Sequence, residues 1–390
     1  MNLLPAELLQ AVINEISSPG DILNVRLVNK TLCVLATPRA FQRAPVKNTM
    51  RSAQGFHALL SSQKIARHIT EVAFRDVRES ARETGVRELG PSKLKPDGER
   101  AIRDTLASAF SKLHELPKLE TLTITFSPHV RSSLSSTFLE RPLSSLTQMA
   151  ILRAFTSLAH PLSLKSLTID NLIASHSDIH DHPAFIATFN KLAYLRITIL
   201  SDIGTYVGTL YQETLSNFWS TTMQRRILAP SSASYLTCLS LHSDHEFGIL
   251  PQFTFSELYY PLLDTLSVRG AFFANSVGIE DFIVRHRGTL RSLELRFCKI
   301  YCDDDVPDRF WSQVWNRFAK ELDRLTVFKA EEEMDMVEMP GYMIRYAYFD
   351  AGVGYIPIFN IVPADDVALV TLKVVVASRS NTYRQPAMFG

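Results

Sequence analysis

An aliphatic residue, a second apolar one three positions later and a third two positions after that make a triplet, and it recurs eight times between residues 69 and 327. The copies are Ile69, Val72, Phe74; Leu119, Leu122, Ile124; Leu164, Leu167, Ile169; Leu192, Leu195, Ile197; Leu236, Leu239, Leu241; Leu263, Leu266, Val268; Leu290, Leu293, Leu295; and Leu322, Leu325, Val327. The last residues of each copy alternate apolar and polar, the period of a strand with one buried face. A single triplet arises easily by chance. Eight at successive candidate strands restrict the chain to a repeated layout in which each strand lies beside the next.

Between such strands the chain must return, and five stretches have the length and mixed pattern of return helices: 102–113, 147–159, 211–228, 279–287 and 310–320. The triplet with its returns resembles the leucine-rich repeat. In that family the first leucine points inward just before a short strand, and successive strands pair in parallel as a curved sheet. The family unit is about 20–29 residues long. The steps from Leu236 to Leu263 to Leu290 match it, whereas those after Ile69, Ile124 and Ile197 are longer. The family's Asn or Cys position is met only near Asn171 and Cys298. The expectation is an irregular solenoid over 67–330 with insertions at 77–100, 127–146, 174–183 and 201–234, the first of them charged and Gly/Pro-rich and the best candidate for disorder.

Ahead of the repeats stands LLPAELLQAVINEISSPGDILNVRLVNKTLCVLATPRAF, residues 3–41. On a helix, Leu8, Leu9, Val12, Ile13 and Ile16 fill one arc and Glu7, Gln10, Asn14 and Glu15 the other. Pro5 suits the helix entry. Ser17-Ser18-Pro19-Gly20 is expected to stop this helix, with Asp21 as N-cap of the next and Pro38 closing the segment. From Ile22 to Leu35 the apolar residues leave no single arc, so a helix there must be covered on most sides. A segment of about 40 residues cannot cover so much apolar surface by itself.

The segment resembles an F-box in Leu4-Pro5, Glu7-Leu8-Leu9, Ile13, Asp21-Ile22-Leu23, Arg26-Leu27-Val28-Asn29-Lys30, Leu32, Leu35 and Phe41. Thr31 stands where many F-boxes have Trp, and Phe41 where they often end in Trp. The resemblance implies docking on a small Skp-type adaptor, and through it on a cullin and ubiquitin transfer. Leu4, Pro5, Leu8, Ile13, Ile22, Leu23, Leu27 and Val28 are the residues it implies for the adaptor contact. The alternative for this segment is an ordinary helical cap on a larger domain.

Residues 42–66 are expected to form a connecting helix with Phe56, Leu59, Leu60 and Ile65 as its apolar positions. Residues 329–339 (KAEEEMDMVEM) form an acidic exit. MIRYAYFDAGVGYIPIF then reads as strand, and ADDVALVTLKVVVASR as a terminal helix from near Asp365, although Val374–Val376 also suits a strand. Such a tail can cover the open last repeat of a solenoid. The layout, with FWSQVWNRFAKEL before the last strand and YAYFDAGVGY after it, resembles fungal F-box proteins with divergent leucine-rich repeats.

Composition excludes some alternatives. With 390 residues, 46% hydrophobic and net charge +1, the chain matches a soluble globular protein with a large core and gives no support for a nucleic-acid or membrane partner. No apolar run reaches the length of a membrane span, and Glu7, Asn14 and Glu15 break any signal-peptide core. Four cysteines (Cys33, Cys238, Cys298, Cys302) suggest no disulfide framework and fit a reducing, intracellular setting, cytoplasm or nucleus.

The most enzyme-like stretch is His176-Ser-Asp178-Ile-His180-Asp181-His182, whose imidazoles and carboxylates are metal-ligand types. A solvated loop is the simpler account. Cys298 reads as a repeat-core position, and Trp219, Trp311 and Trp315 as helix core. No nucleotide loop, nucleophile elbow or zinc-protease motif is present.

The sequence therefore predicts an α/β chain: a three-helix F-box (1–43), a connecting helix (44–66), an irregular leucine-rich-repeat solenoid with a parallel sheet (67–330), and a C-terminal acidic exit with a capping segment (331–390). The F-box resemblance implies a non-catalytic receptor subunit of a Skp-cullin-F-box ubiquitin ligase, without cofactor or metal, that holds a target protein. A repeat scaffold without a ligase role, and a metal-dependent enzyme built on His176, His180 and His182, are the alternatives.

Overall fold

The computed structural model describes residues 4–76, 96–128, 143–201, 209–228, 235–303, 307, 309–334, 343–350, 353–359 and 362–384. The chain divides into two compact units, one of residues 1–170 with 182–188 and one of 171–181 with 189–390. Both are mixed α/β, and both are built on a largely parallel sheet.

The first unit opens with three helices, α1 (Ala6–Glu15), α2 (Pro19–Arg26) and α3 (Lys30–Ala40). The single arc missing from 22–35 is explained by a break: the stretch is two helices, and Asn29 caps the second by accepting the Leu32 N–H at 2.8 Å. Ser18, not Asp21, caps α2, and Pro19 opens that helix at N1 instead of ending α1. Pro38 lies inside α3. It sits in the last turn, where it cannot donate to the Val34 carbonyl four residues before it.

The expected single connecting helix of 44–66 is three elements: strand β1 (Arg43–Lys47), then α4 (Met50–Leu60) and α5 (Gln63–Ala66). Strands β2 (Glu71–Arg75), β3 (Thr121–Thr125) and β4 (Ser166–Ile173) follow β1 in parallel order. Pro45, which has no N–H to donate, is tolerated because β1 is an edge strand. Helices α6 (Pro96–Phe110), α7 (Leu143–Thr156) and α8 (Pro183–Thr188) belong to the same unit. The expected loop at 127–146 and the candidate disorder at 77–95 fall mostly outside the described residues, and 96–100 is helical.

The second unit carries β5 (Tyr194–Leu200), α9 (Thr209–Asn217), a π-helical turn (Phe218–Ile227), β6 (Cys238–Phe247), β7 (Thr265–Phe273), α10 (Ile279–Arg285), β8 (Ser292–Arg296), β9 (Lys299–Tyr301), α11 (Trp311–Glu321) and β10 (Val327–Glu331). The expected insertion 201–234 thus includes helix. A two-stranded ribbon, β11 (Glu333–Met334) with β12 (Met343–Ile344), leads to the antiparallel hairpin β13 (Tyr346–Asp350) and β14 (Gly354–Ile358) and to α12 (Pro363–Arg384). The terminal helix starts two residues earlier than expected, and Val374–Val376 is helical. Asp365 accepts the Ser312 N–H at the start of α11, and Arg379 donates to the Ala319 and Leu322 carbonyls at its end. Trp311 and Trp315 stack at 4.3 Å and are buried, as are Trp219 and Cys298.

The strand positions expected from the triplets hold for the first seven copies. Val72, Leu122 and Leu167 are in register, as are Leu195, Leu239, Leu266 and Leu293. All of these side chains are buried. Strands β2, β3 and β4 in the first unit and β6, β7 and β8 in the second are entered the same way, by two successive N–H groups donated to one carbonyl at or just before the start of the preceding strand. Glu120 and Thr121 donate to Thr70 in the first unit, and Arg291 and Ser292 to Asp264 in the second.

The eighth copy is corrected by that same contact. Thr326 and Val327 donate to the Arg291 carbonyl, so Leu325 takes the place of Leu290, Phe328 pairs with Leu293 and Ala330 with Leu295. The inward set is therefore Leu325, Phe328 and Ala330, and Val327 is exposed. Phe328 meets Trp315 edge-on, with ring centroids 5.6 Å apart. Phe328→Ala is expected to destabilise the protein by about 2 kcal/mol or more, and Val327→Ala by less than about 0.5 kcal/mol. Denaturant titration of the two variants checks the register, and equal losses would contradict it.

Candidate docking surfaces

The three N-terminal helices share a small core of their own. Ile13, Ile22, Leu32 and Ala36 are buried in it, with Leu9, Ile16, Val25, Leu35 and Ala40 packed around them. Two arginines tie the trio together. Arg39 donates Nη1 to the Ile13 carbonyl at 2.6 Å, which also accepts the Ile16 N–H, and Nη2 to the Ile16 carbonyl at 2.7 Å, so it ties α3 to the end of α1. Arg26 donates Nε to Thr37 Oγ1 at 3.0 Å and lies over the Phe41 ring, 4.5 Å from its centroid. Phe41 thus acts as the platform for a cation rather than as a plain core residue.

What the trio does not bury is more telling. Of the seventeen exposed large hydrophobic side chains among the described residues, seven lie between residues 4 and 34. They are Leu4, Leu8, Val12, Leu23, Leu27, Val28 and Val34, with Leu27 84% and Val34 71% exposed. Leu8 and Val12 lie four residues apart on α1, and Leu23 on α2 is followed four residues later by Leu27 at its C-cap. That spacing puts Leu8 and Val12 on one side of α1. Scattered exposed leucines are ordinary, but a concentration of them marks an interaction surface.

The expected adaptor-contact residues therefore separate. Leu4, Pro5, Leu8, Leu23, Leu27 and Val28 are exposed. Ile13 and Ile22 are not available to a partner, because they are the centre of the trio's own core, at 2% and 4% exposure. Val12 and Val34 are exposed and were not in the expected set. Val12 was signalled by its place four residues after Leu8, whereas nothing in the pattern singled out Val34.

A second surface is the strand face opposite the buried aliphatics. In the second unit the alternate strand positions on this face hold Arg196, Ser240, His242, Ser267, Arg269 and Glu294, of which Ser240, His242 and Ser267 are buried. Ser267 donates to Glu294 Oε2 at 2.7 Å, and His242 Nε2 lies 2.8 Å from Ser267 Oγ. Because the Ser267 proton goes to the carboxylate, the Ser267 oxygen accepts from His242, which puts the imidazole proton on Nε2.

The histidine-rich stretch has a structural use. His180 is buried, and its Nδ1 accepts the Ser177 N–H at 3.2 Å, while His176 Nδ1 lies 3.0 Å from Thr222 Oγ1. His182 Nδ1 accepts the Ala184 N–H at the start of α8. Burial first, and the neighbouring His176 second, bring the His180 pKa down to about 4. Among the described residues no group of three or more His, Cys, Asp or Glu side chains is placed to hold a metal ion. Among them, too, no helix is long and apolar enough to cross a membrane. No protein-family model matches the chain, and comparison with curated proteins returns no match.

Two measurements follow from this geometry. Ile13→Ala is expected to destabilise the trio by about 2–4 kcal/mol, whereas Leu27→Asp leaves its melting unchanged to within about 0.5 kcal/mol. Circular dichroism melts compare them. His180 binds its proton less readily folded than unfolded, so its contribution to stability is full above pH 6.5 and is lost as pH falls toward about 4. The acid limb of a stability–pH profile should flatten in His180→Gln, and an unchanged slope would argue against a neutral buried imidazole.

Proposed function

We propose that this chain is the substrate-recognition subunit of a Skp-cullin-F-box ubiquitin ligase. The three N-terminal helices act as an F-box that docks on a Skp-type adaptor, and through it on a cullin. The helix–strand units from 67 to 330 act as irregular leucine-rich repeats that hold a target protein. The observation that carries the reading is the cluster of exposed aliphatic side chains on a helical trio that already has its own core. A trio that served only to cap the sheet would need no such second apolar surface.

In this reading Leu4, Pro5, Leu8, Val12, Leu23, Leu27, Val28 and Val34 meet the adaptor, and Ile13 and Ile22 hold the helices that present them. Each aliphatic side chain covered by a partner contributes on the order of 1.5–3 kcal/mol before ordering costs. A handful is enough for stable docking. The chain supplies no reacting group, and its contribution is to raise the local concentration of target beside the ubiquitin-loaded enzyme. The protein then works inside the cell, without metal or cofactor. A repeat scaffold with no ligase role is the competing reading, since a self-contained trio is also able to serve as a plain folded module.

Co-purification of the full chain with a fungal Skp-type adaptor separates the two. The wild type is expected to form a one-to-one complex, and the Leu8→Asp, Leu27→Asp double variant to lose it while remaining folded, since both sites are exposed. A stable monomer that ignores the adaptor would leave the scaffold reading in place.

A further inference from the structure

Helix α12 packs on α11 and β10, and on that side it buries Ala368, Leu372 and Val376. Asp365 and Arg379 fasten it to the two ends of α11. It therefore occupies the place of a cap on the last helix–strand unit. A cap of this kind keeps a repeat array soluble by turning a polar face outward. Helix α12 breaks that rule.

Its outward side carries Val367, Val370 and Val374, exposed at 67%, 59% and 62%. Ala377, also exposed, continues the row. The four follow at steps of three, four and three residues, the spacing of a seam between paired helices. Thr371 and Ser378 flank the row on one side, and their hydroxyls are turned back onto the helix. Thr371 Oγ1 donates to the Val367 carbonyl at 2.8 Å and Ser378 Oγ to the Val375 carbonyl at 2.7 Å. Helix propensity gives no reason for exposed valines, since a β-branched side chain loses rotamer freedom there and Ala, Lys or Glu serve better. A contiguous apolar row of this kind marks a contact surface.

The charges beside the row say what the contact is. Asp366 and Lys373 stand on its other flank, seven residues and two turns apart. Asp366 accepts from Arg345 Nη2 at 2.5 Å, but Arg345 is also bound to both carboxylate oxygens of Glu332. Two carboxylates thus share one guanidinium, and the Asp366 side chain stays 60% exposed. Lys373 is exposed and has no ion partner among the described residues.

A second α12 laid antiparallel on this row, about a two-fold axis between Val367 and Val370, sets Val367 of each copy against Val370 of the other. In an antiparallel pair each flank meets the same flank of the other helix. Asp366 then faces Lys373 of the second copy, and the two-fold repeats the pair. A parallel pairing would set the Asp366 and Lys373 flank against Thr371 and Ser378, and both lysines would stay unpaired. The row is self-complementary in one orientation.

We propose that the outward face of α12 is a homodimer contact, in which two copies of this chain pair antiparallel through Val367, Val370, Val374 and Ala377, with Asp366 and Lys373 fixing the direction. A row about 15 Å long buries less than the ~1,200–2,000 Å² of a standard interface, so the dimer dissociates on dilution. The contact does not depend on the F-box reading.

Analytical ultracentrifugation of the full chain, from about 1 to about 200 μM, tests the contact, with circular dichroism to confirm that each variant folds. The wild type is expected to pass from monomer to dimer over this range. Val370→Asp should stay monomeric. Lys373→Glu should weaken association by about fivefold or more, and Asp366→Lys combined with Lys373→Glu should restore it. Leu8→Asp with Leu27→Asp, which alters the apolar surface of the N-terminal trio, should dimerise as wild type does. The contact is overturned if the wild type is monomeric at the highest concentration, as it would be if the row met a different protein. It is also overturned if folded Val370→Asp dimerises as wild type, if the folded double charge reversal fails to restore association, or if the Leu8 and Leu27 changes abolish it.

Discussion

The structure depends on one repeated backbone contact: two successive N–H groups at the start of a strand, both donated to a single carbonyl at or just before the start of the preceding strand. It appears at Gln42, Thr70, Glu120, Ala193, Thr237, Asp264 and Arg291, with donor distances between 2.8 and 3.1 Å. Because side chains alternate along a strand, fixing this first contact fixes which face every later residue takes. The aliphatic triplet is the side-chain expression of that constraint. Its first residue sits just before the contact, and the next two occupy the inward positions that follow. A one-residue slip would turn each buried leucine to the polar face, which is why the register stays constant within each unit despite wide differences in return length.

This explains what was legible. Strands β2 to β8 were readable because packing demands the same apolar spacing in each. The return helices were readable for the same reason at a different period. Strand β1 was not: Ala44 and Val46 are its only inward side chains, and Pro45 speaks against a strand unless an edge is already known. The eighth triplet misled because Leu322, in the turn after α11, is also buried. Only the hydrogen bond to Arg291 distinguishes it from the true first position, and a backbone contact between distant residues leaves no mark on composition.

The N-terminal surface was legible in outline and wrong in detail for a related reason. Periodicity identifies an apolar stripe on α1, but it does not say which residues of the stripe are covered from within. Ile13 faces α2 and α3 through their shared core, whereas Leu8 and the adjacent Val12 are exposed. The arginines that fix the arrangement were invisible to pattern reading. Arg39 reaches back 23 and 26 residues to the end of α1, and Arg26 reaches forward to Phe41 and Thr37. The two carry the trio's geometry with little buried area, and the apolar surface they leave outside is what a partner would cover.

The central claim is that the exposed aliphatics of α1 to α3 are an adaptor-binding surface on a module already folded without the adaptor. Hydrogen–deuterium exchange of the full chain, alone and with a Skp-type adaptor, tests it most directly. The account predicts measurable protection in α1 to α3 before the adaptor is added, then slower exchange in peptides containing Leu8, Val12, Leu27 and Val34, with β5 to β8 unchanged. Exchange in the trio that the adaptor leaves untouched, or new protection only on the strands, would contradict it.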